Sequence, residues 1–200
     1  MEQANTNFKN STISREEINK LPLVKFEGPI HVIDIEKKVK PSVNRLLDEK
    51  VLGFDTETKP SFKKGVSYPP ALIQFATEKE VWLFRINGKG LHDHILHLLQ
   101  TEETTKVGVA LHDDIKHLQK VKKFKPSGFL DLATIANEAG IVKRGLRNMT
   151  GMILRSRLSK SAQLTNWAQA NLTTNQLTYA ATDAWVSLKL YHRFKELELL

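Results

Sequence analysis

Val51-Leu52-Gly53-Phe54-Asp55-Thr56-Glu57-Thr58 is an apolar run that ends in two carboxylates. Its first half, preceded by Glu49 and Lys50, has the make-up of a buried strand, and a buried strand has no ordinary use for acids. Strand side chains alternate faces, so Asp55 and Glu57 point the same way while Thr56 points elsewhere. Two anions held that close repel unless a cation sits between them, and oxygen ligands suit divalent magnesium or manganese. For a bare Asp-x-Glu, a strand end spilling into a solvated acidic loop is the commoner explanation, so partners elsewhere in the chain must decide.

Outward from this strand, the chain reads as one folded unit. Two hundred residues suffice for a single good-sized core. Residues 1–20 are expected to be a disordered or loosely packed leader, poor in apolar groups up to Thr12, and residues 21–200 a single domain. Ser14 answered by Glu17 resembles a capping box, so a short helix or turn is expected to Lys20. The 30 Lys and Arg against 22 Asp and Glu leave a formal charge of +8, which favours polyanionic partners. Cysteine is absent, which excludes disulfides, thiolate metal sites and thiol nucleophiles. No apolar run approaches the ~20 residues of a membrane span, and no presequence pattern is present, so no membrane partner is expected and the expected address is the cytoplasm.

The pattern of elements is mixed. Pro29 to Asp34 reads as an edge strand and Pro41 to Lys50 as an amphipathic helix. Ala71 to Ala76 and Val81 to Ile86 form a hairpin, followed by a helix over Leu91 to Gln100. That helix carries His92, His94 and His97, readable as metal ligands or as ordinary surface histidines. Lys106 to Leu111 is another buried strand running into His112-Asp113-Asp114. Asp113 is expected as a structural residue at the helix start and Asp114 as a site residue. Helices are expected over Leu132 to Ala139, with Asp131 as N-cap, over Gly145 to Leu158, and from Thr173 to the C-terminus. Tyr179 and Asp183, four apart on that last helix, share one face.

Cations and rings cluster in places. The loop Lys59 to Pro70 carries Lys59, Lys63 and Lys64 with Phe62 and Tyr68, suited to a stacked, phosphate-bearing ligand or to a solvated connection. Lys116 to Lys125 is a basic face of similar ambiguity. Lys160 and Asn166, in the polar run before Trp167, join Lys59, Phe62, Lys63 and Lys64 as candidate nucleic-acid contacts.

Taken together, Asp55 and Glu57, then Asp114, then Tyr179 and Asp183 resemble the DEDD family of 3′-5′ exonucleases in its tyrosine-bearing branch. Phe54-Asp-Thr-Glu-Thr58, Ala71-Leu-Ile-Gln-Phe75, Val107-Gly-Val-Ala-Leu-His-Asp-Asp114, Leu164-Thr-Asn-Trp167 and Tyr179-Ala-Ala-Thr-Asp-Ala184 are similar to the ribonuclease D and Werner-type exonuclease group. The resemblance implies an α/β, ribonuclease H-like fold, with a mixed five-stranded sheet and helices on both faces. It also implies two divalent cations, Mg2+ or Mn2+, and hydrolysis of phosphodiesters from a free 3′ end, DNA being favoured over RNA. In that family's pattern Asp55 bridges both ions, Glu57 and Asp183 complete the shell of one, Asp114 holds the other, and Tyr179 orients the attacking water. A catalytically weak or silent nucleic-acid-binding scaffold on the same fold is the alternative.

Overall fold

The computed structural model describes residues 8–86 and 88–200. In chain order the elements are α1 (Arg15–Lys20), β1 (Ile30–Ile33), α2 (Val39–Leu47), β2 (Val51–Thr58), β3 (Pro70–Ala76), β4 (Val81–Arg85), α3 (Asp93–Gln100), β5 (Thr105–Gly108), α4 (His112–Val121), β6 (Phe129–Asp131), α5 (Leu132–Glu138), α6 (Leu146–Ile153) and α7 (Thr174–Glu196). The strands make one sheet in the order β1-β4-β3-β2-β5-β6. β2, β3 and β4 are antiparallel neighbours, while β1 joins β4, β5 joins β2 and β6 joins β5 in parallel.

The sheet therefore holds six strands rather than the expected five. The sixth is Phe129–Asp131, a stretch that reads as the start of a helix because Asp131 does cap α5, its carboxylate accepting from Ala133 N. The same residue ends the strand and begins the helix. The edge position of β1, just after Pro29, is as expected: a residue without an N–H donor does least harm there.

Alternation along β2 sorts the two layers. Leu52 and Phe54 face a core built with α2, α3 and α4, through Val43, Leu46, Ile95, Leu98, Leu99 and Leu118. The opposite face of the sheet, through Leu72, Ala76, Val81 and Leu83, packs under α7 at Ala180, Ala181 and Ala184. Gly53 lies on this second face, and a Cβ there would come within 2.0 Å of the Ala184 carbonyl oxygen. Only a residue without a side chain lets the backbone of α7 settle this close to β2.

Of the expected leader, residues 1–7 lie outside the described residues. From Phe8 the chain is packed against the rest of the fold, with Phe8, Ile13 and Ile18 buried. The Ser14–Glu17 capping box is present at the start of α1. Among the described residues no helix is long and apolar enough to cross a membrane.

Candidate active site

β2 and β5 stay paired from Val51↔Thr105 to Gly53↔Val107 and then part, because β5 ends at Gly108 and the chain turns into α4. Beyond Gly53, β2 keeps β3 on one side only, with Asp55 opposite Gln74 and a register irregularity between Glu57 and Thr58. The carboxylates thus emerge at the open end of a parting strand pair, a place where α/β sheets commonly form a crevice. α7 crosses that end and delivers Asp183. Carboxylate oxygens of Asp55, Glu57 and Asp183 lie within 4.8 Å of one another.

The electrostatics of the cluster are unfavourable as they stand. Burial, then the charges of Asp183 and Asp114, hold the Asp55 carboxyl well above the usual carboxylate range. Glu57 is raised well above its range by burial, then by Asp55, Asp183 and Asp114. Burial lifts Asp183 to about 7 against an opposing hydrogen bond from Tyr179. Tyr179, one helical turn before it, is pushed above the ordinary phenol range by burial and by the facing carboxylates of Asp183 and Glu57. No described Lys, Arg or His forms an ion pair with any of these acids.

Asp114 arrives from the other layer. It sits in the first turn of α4, half-buried, and accepts a hydrogen bond from the Thr56 hydroxyl. Thr56 points away from Asp55 and Glu57, as alternation requires, and so meets α4 on the opposite face. Asp114 therefore stands outside the tight trio while still acting on its charges. Burial raises its own pKa, with the Thr56 hydrogen bond opposing.

Asp113 does not cap its helix. Asp131, some twenty residues on, accepts from Ala110 N and Leu111 N at 2.9 Å each, leaving Asp113 exposed. With a third bond from Ala133 N, the Asp131 carboxylate is occupied by backbone donors. His92 accepts from His94 N as the N-cap of α3, so its ring nitrogen serves the helix.

A cleft of about 540 Å³ opens over the acids, lined by Asp55, Thr56, Glu57, Tyr179 and Asp183 and, on its rim, by Lys160, Arg15, Lys143, Arg147 and Gln163. Of the candidate nucleic-acid contacts, only Lys160 reaches it. Lys59 lies over the Tyr68 ring at 4.8 Å, Phe62 is 84% exposed, and Lys63 and Lys64 belong to the same outlying loop. The Asn166 side chain accepts from Ala168 N. Basic composition told of that loop's charge but not of where it would project. Thr56, Arg15, Lys143 and Arg147 were not singled out; for Thr56, the strand alternation that set it opposite the acids was the available signal.

The donor set fits divalent metal. Three carboxylates held together in partial burial, none countered by a described cation, are hard oxygen ligands of the kind Mg2+ and Mn2+ take. Beside them the wholly buried Gln74 amide, opposite Asp55, has no hydrogen-bond partner among the described residues. Such a group marks a polar site rather than a packed core.

Comparison with known proteins agrees with this geometry. The sequence profile of a 3′-5′ exonuclease family matches residues 30–198. An Arabidopsis thaliana 3′-5′ exonuclease is 29% identical over 97% of this chain and 73% of its own length. The mouse bifunctional 3′-5′ exonuclease/ATP-dependent helicase WRN is 30% identical over 88% of the chain, which spans 13% of that relative. Among solved structures, the Nibbler EXO domain of Aedes aegypti superposes with a TM-score of 0.78 at 25% identity, covering 88% of this chain and 91% of that one.

Proposed function

The chain belongs to the 3′-5′ exonuclease family, and from that premise we propose that it releases nucleotides from the free 3′ end of a nucleic-acid strand by two-metal hydrolysis. The observation that carries this reading is the trio of Asp55, Glu57 and Asp183, held together with no described cation paired to it. Such an arrangement is unfavourable in isolation and becomes favourable only with divalent ions.

When bound, two Mg2+ or Mn2+ ions would supply Lewis-acid stabilisation of charge growing on the phosphate and on the leaving 3′ oxygen. Asp55, Glu57 and Asp183 would hold the ions from the α7 side of the sheet. Asp114, anchored by Thr56, would contribute from the α4 side. Without metal, burial and the facing acids oppose ionisation of the Tyr179 hydroxyl. That hydroxyl would position the attacking water or a phosphate oxygen. Lys160, on the rim of the cleft, would meet the phosphate backbone.

The test is digestion of 5′-labelled and 3′-labelled DNA and RNA with Mg2+, Mn2+ or EDTA. The expected result is a ladder from the 5′ label, early mononucleotide release from the 3′ label, and no cleavage in EDTA. DNA is expected to be cut faster than RNA. Asp55→Ala should be silent while remaining folded, and a variant as active as the parent refutes the assignment. A parent protein that binds strands without cutting them under either metal favours the scaffold reading instead.

A further inference from the structure

The family match begins at residue 30, yet one wall of the acidic cleft is built by chain that precedes it. Residues 8–24 run as a strap along α6 and the segments flanking it. Ser11 bridges Ile141, Val142 N donates to Ser11 O, and Leu23 bridges Arg157 with backbone bonds at 3.0 and 2.9 Å. Arg157 Nε donates to Leu21 O, and Arg147 donates to the Asn19 side chain at 2.7 Å. Ile18 is buried against α6 at Gly151, where a Cβ would come within 2.9 Å of it. A strap tied at both ends and packed in the middle holds its side chains in place.

What the strap presents to the cleft is Arg15, the first residue of α1, directly after the Ser14 cap. Arg15 is exposed and has no ion pair with a described acid, and the same is true of Lys143 opposite it on the approach to α6. Among the described residues, Arg147, half-buried beside them, donates to the neutral Asn19 and has no ion pair, and its Nε is shielded from solvent without a hydrogen bond. These three cations therefore line the cleft that holds the acids, together with Lys160, yet none forms an ion pair with them. Cations left unpaired next to a site for phosphodiesters suit the flanking phosphates of a strand, which guanidinium groups bind through paired N–H donors.

We propose that the N-terminal strap is a substrate grip, in which Arg15, with Lys143 and Arg147, holds the phosphate backbone of a nucleic-acid strand leading away from the 3′-terminal nucleotide. The proposal rests on the exonuclease reading of the cleft, but it concerns residues that reading does not need. The grip acts on a strand and is irrelevant to a single nucleotide.

The test uses the full chain and Arg15→Glu. Glutamate suits the first turn of a helix, so the variant should keep its fold, and an unchanged melting temperature checks this. Should melting fall, Arg15→Gln takes its place. Affinity for a 5′-fluorescent single-stranded oligonucleotide is read by anisotropy in Ca2+, across salt concentrations. Turnover is read on the same strand and on the p-nitrophenyl ester of thymidine 5′-monophosphate, which offers no flanking phosphate. The expected result is a rise of about tenfold in KM and Kd for the oligonucleotide and a log-log salt slope shallower by about one. The mononucleotide ester should be hydrolysed as before. Unchanged oligonucleotide affinity and salt slope overturn the grip, as does equal loss on both substrates or a parent protein that binds no strand. If the parent binds strands through Arg15 yet hydrolyses neither substrate, the exonuclease reading falls and the grip stands.

Discussion

Two sets of buried charge lie a strand apart in this fold and are treated in opposite ways. On β2 and α7, Asp55, Glu57 and Asp183 crowd together beside Asp114 and Tyr179, with no described cation in an ion pair with them. On β5, Lys106 is wholly buried, but its ammonium donates to Thr101 O at 2.7 Å and Thr104 O at 2.8 Å and lies 5.2 Å from the Phe129 ring centroid. The lysine's charge is met by the protein. The acids' charge is not, and on the proposed reading the difference separates a group kept for structure from groups kept for a ligand.

The largest expected effect comes from removing one charge of the unbalanced set. Asp183→Asn should lower phosphodiester cleavage on the order of 10³-fold or more, since a ligand to the ions is lost. In metal-free buffer the same variant should melt higher than the parent near neutral pH, because a repelling charge is gone. The sign follows from the raised pKa. Asp183 goes from 3.8 to about 7 on folding, so the native state binds the extra proton and the parent loses stability as pH rises through that window. The variant should show a flatter metal-free profile there. A parallel fall in both profiles would mean that Asp183 is not a source of the strain.

Tyr179→Phe sharpens the comparison within the site. Its hydroxyl touches the acids but adds no charge, so metal affinity measured by Mn2+ titration should survive while kcat falls. A drop of about tenfold to a hundredfold is expected, at or below the usual range for a proton-handling group. Unchanged turnover would reduce Tyr179 to a packing residue against Trp167, whose ring lies 5.9 Å away.

How much of this was legible in the sequence depended on the range of the signal. Strand alternation put Asp55 and Glu57 on one face and helical spacing did the same for Tyr179 and Asp183, but only the family resemblance joined the two pairs into one site. The role of Gly53 could not be read, because it depends on where α7 crosses the sheet. Asp113 stands at a helix start, yet α4 has no side-chain cap, and the carboxylate that holds the turn before it, at Ala110 N and Leu111 N, is Asp131, brought in by β6. The sixth strand was hidden for a related reason: three half-buried residues after a glycine carry too little period to be told from a helix entry. Arg15 was invisible as a site residue because its place is set by ties to residues more than a hundred positions away. The loop of Lys59, Lys63 and Lys64 erred the other way, its charge being plain in the sequence and its direction not.

The smallest expected effect tests the satisfied charge. Burial pulls the Lys106 ammonium down from 10.5 to about 8, so between those values the unfolded chain holds a proton that the native state has released. Stability should therefore rise with pH across that window, opposite in sign to the acids' trend below 7. Lys106→Met removes the titrating group and should abolish the rise. It also leaves the Thr101 and Thr104 carbonyls without their donor, at a cost of about 1–3 kcal/mol, while an apolar chain of similar length still fills the space. The exonuclease activity of the folded fraction should not change, because Lys106 lies outside the cleft lining. Loss of activity with an intact melting transition would mean that this charge too serves the site, and the division between met and unmet charge would no longer mark function.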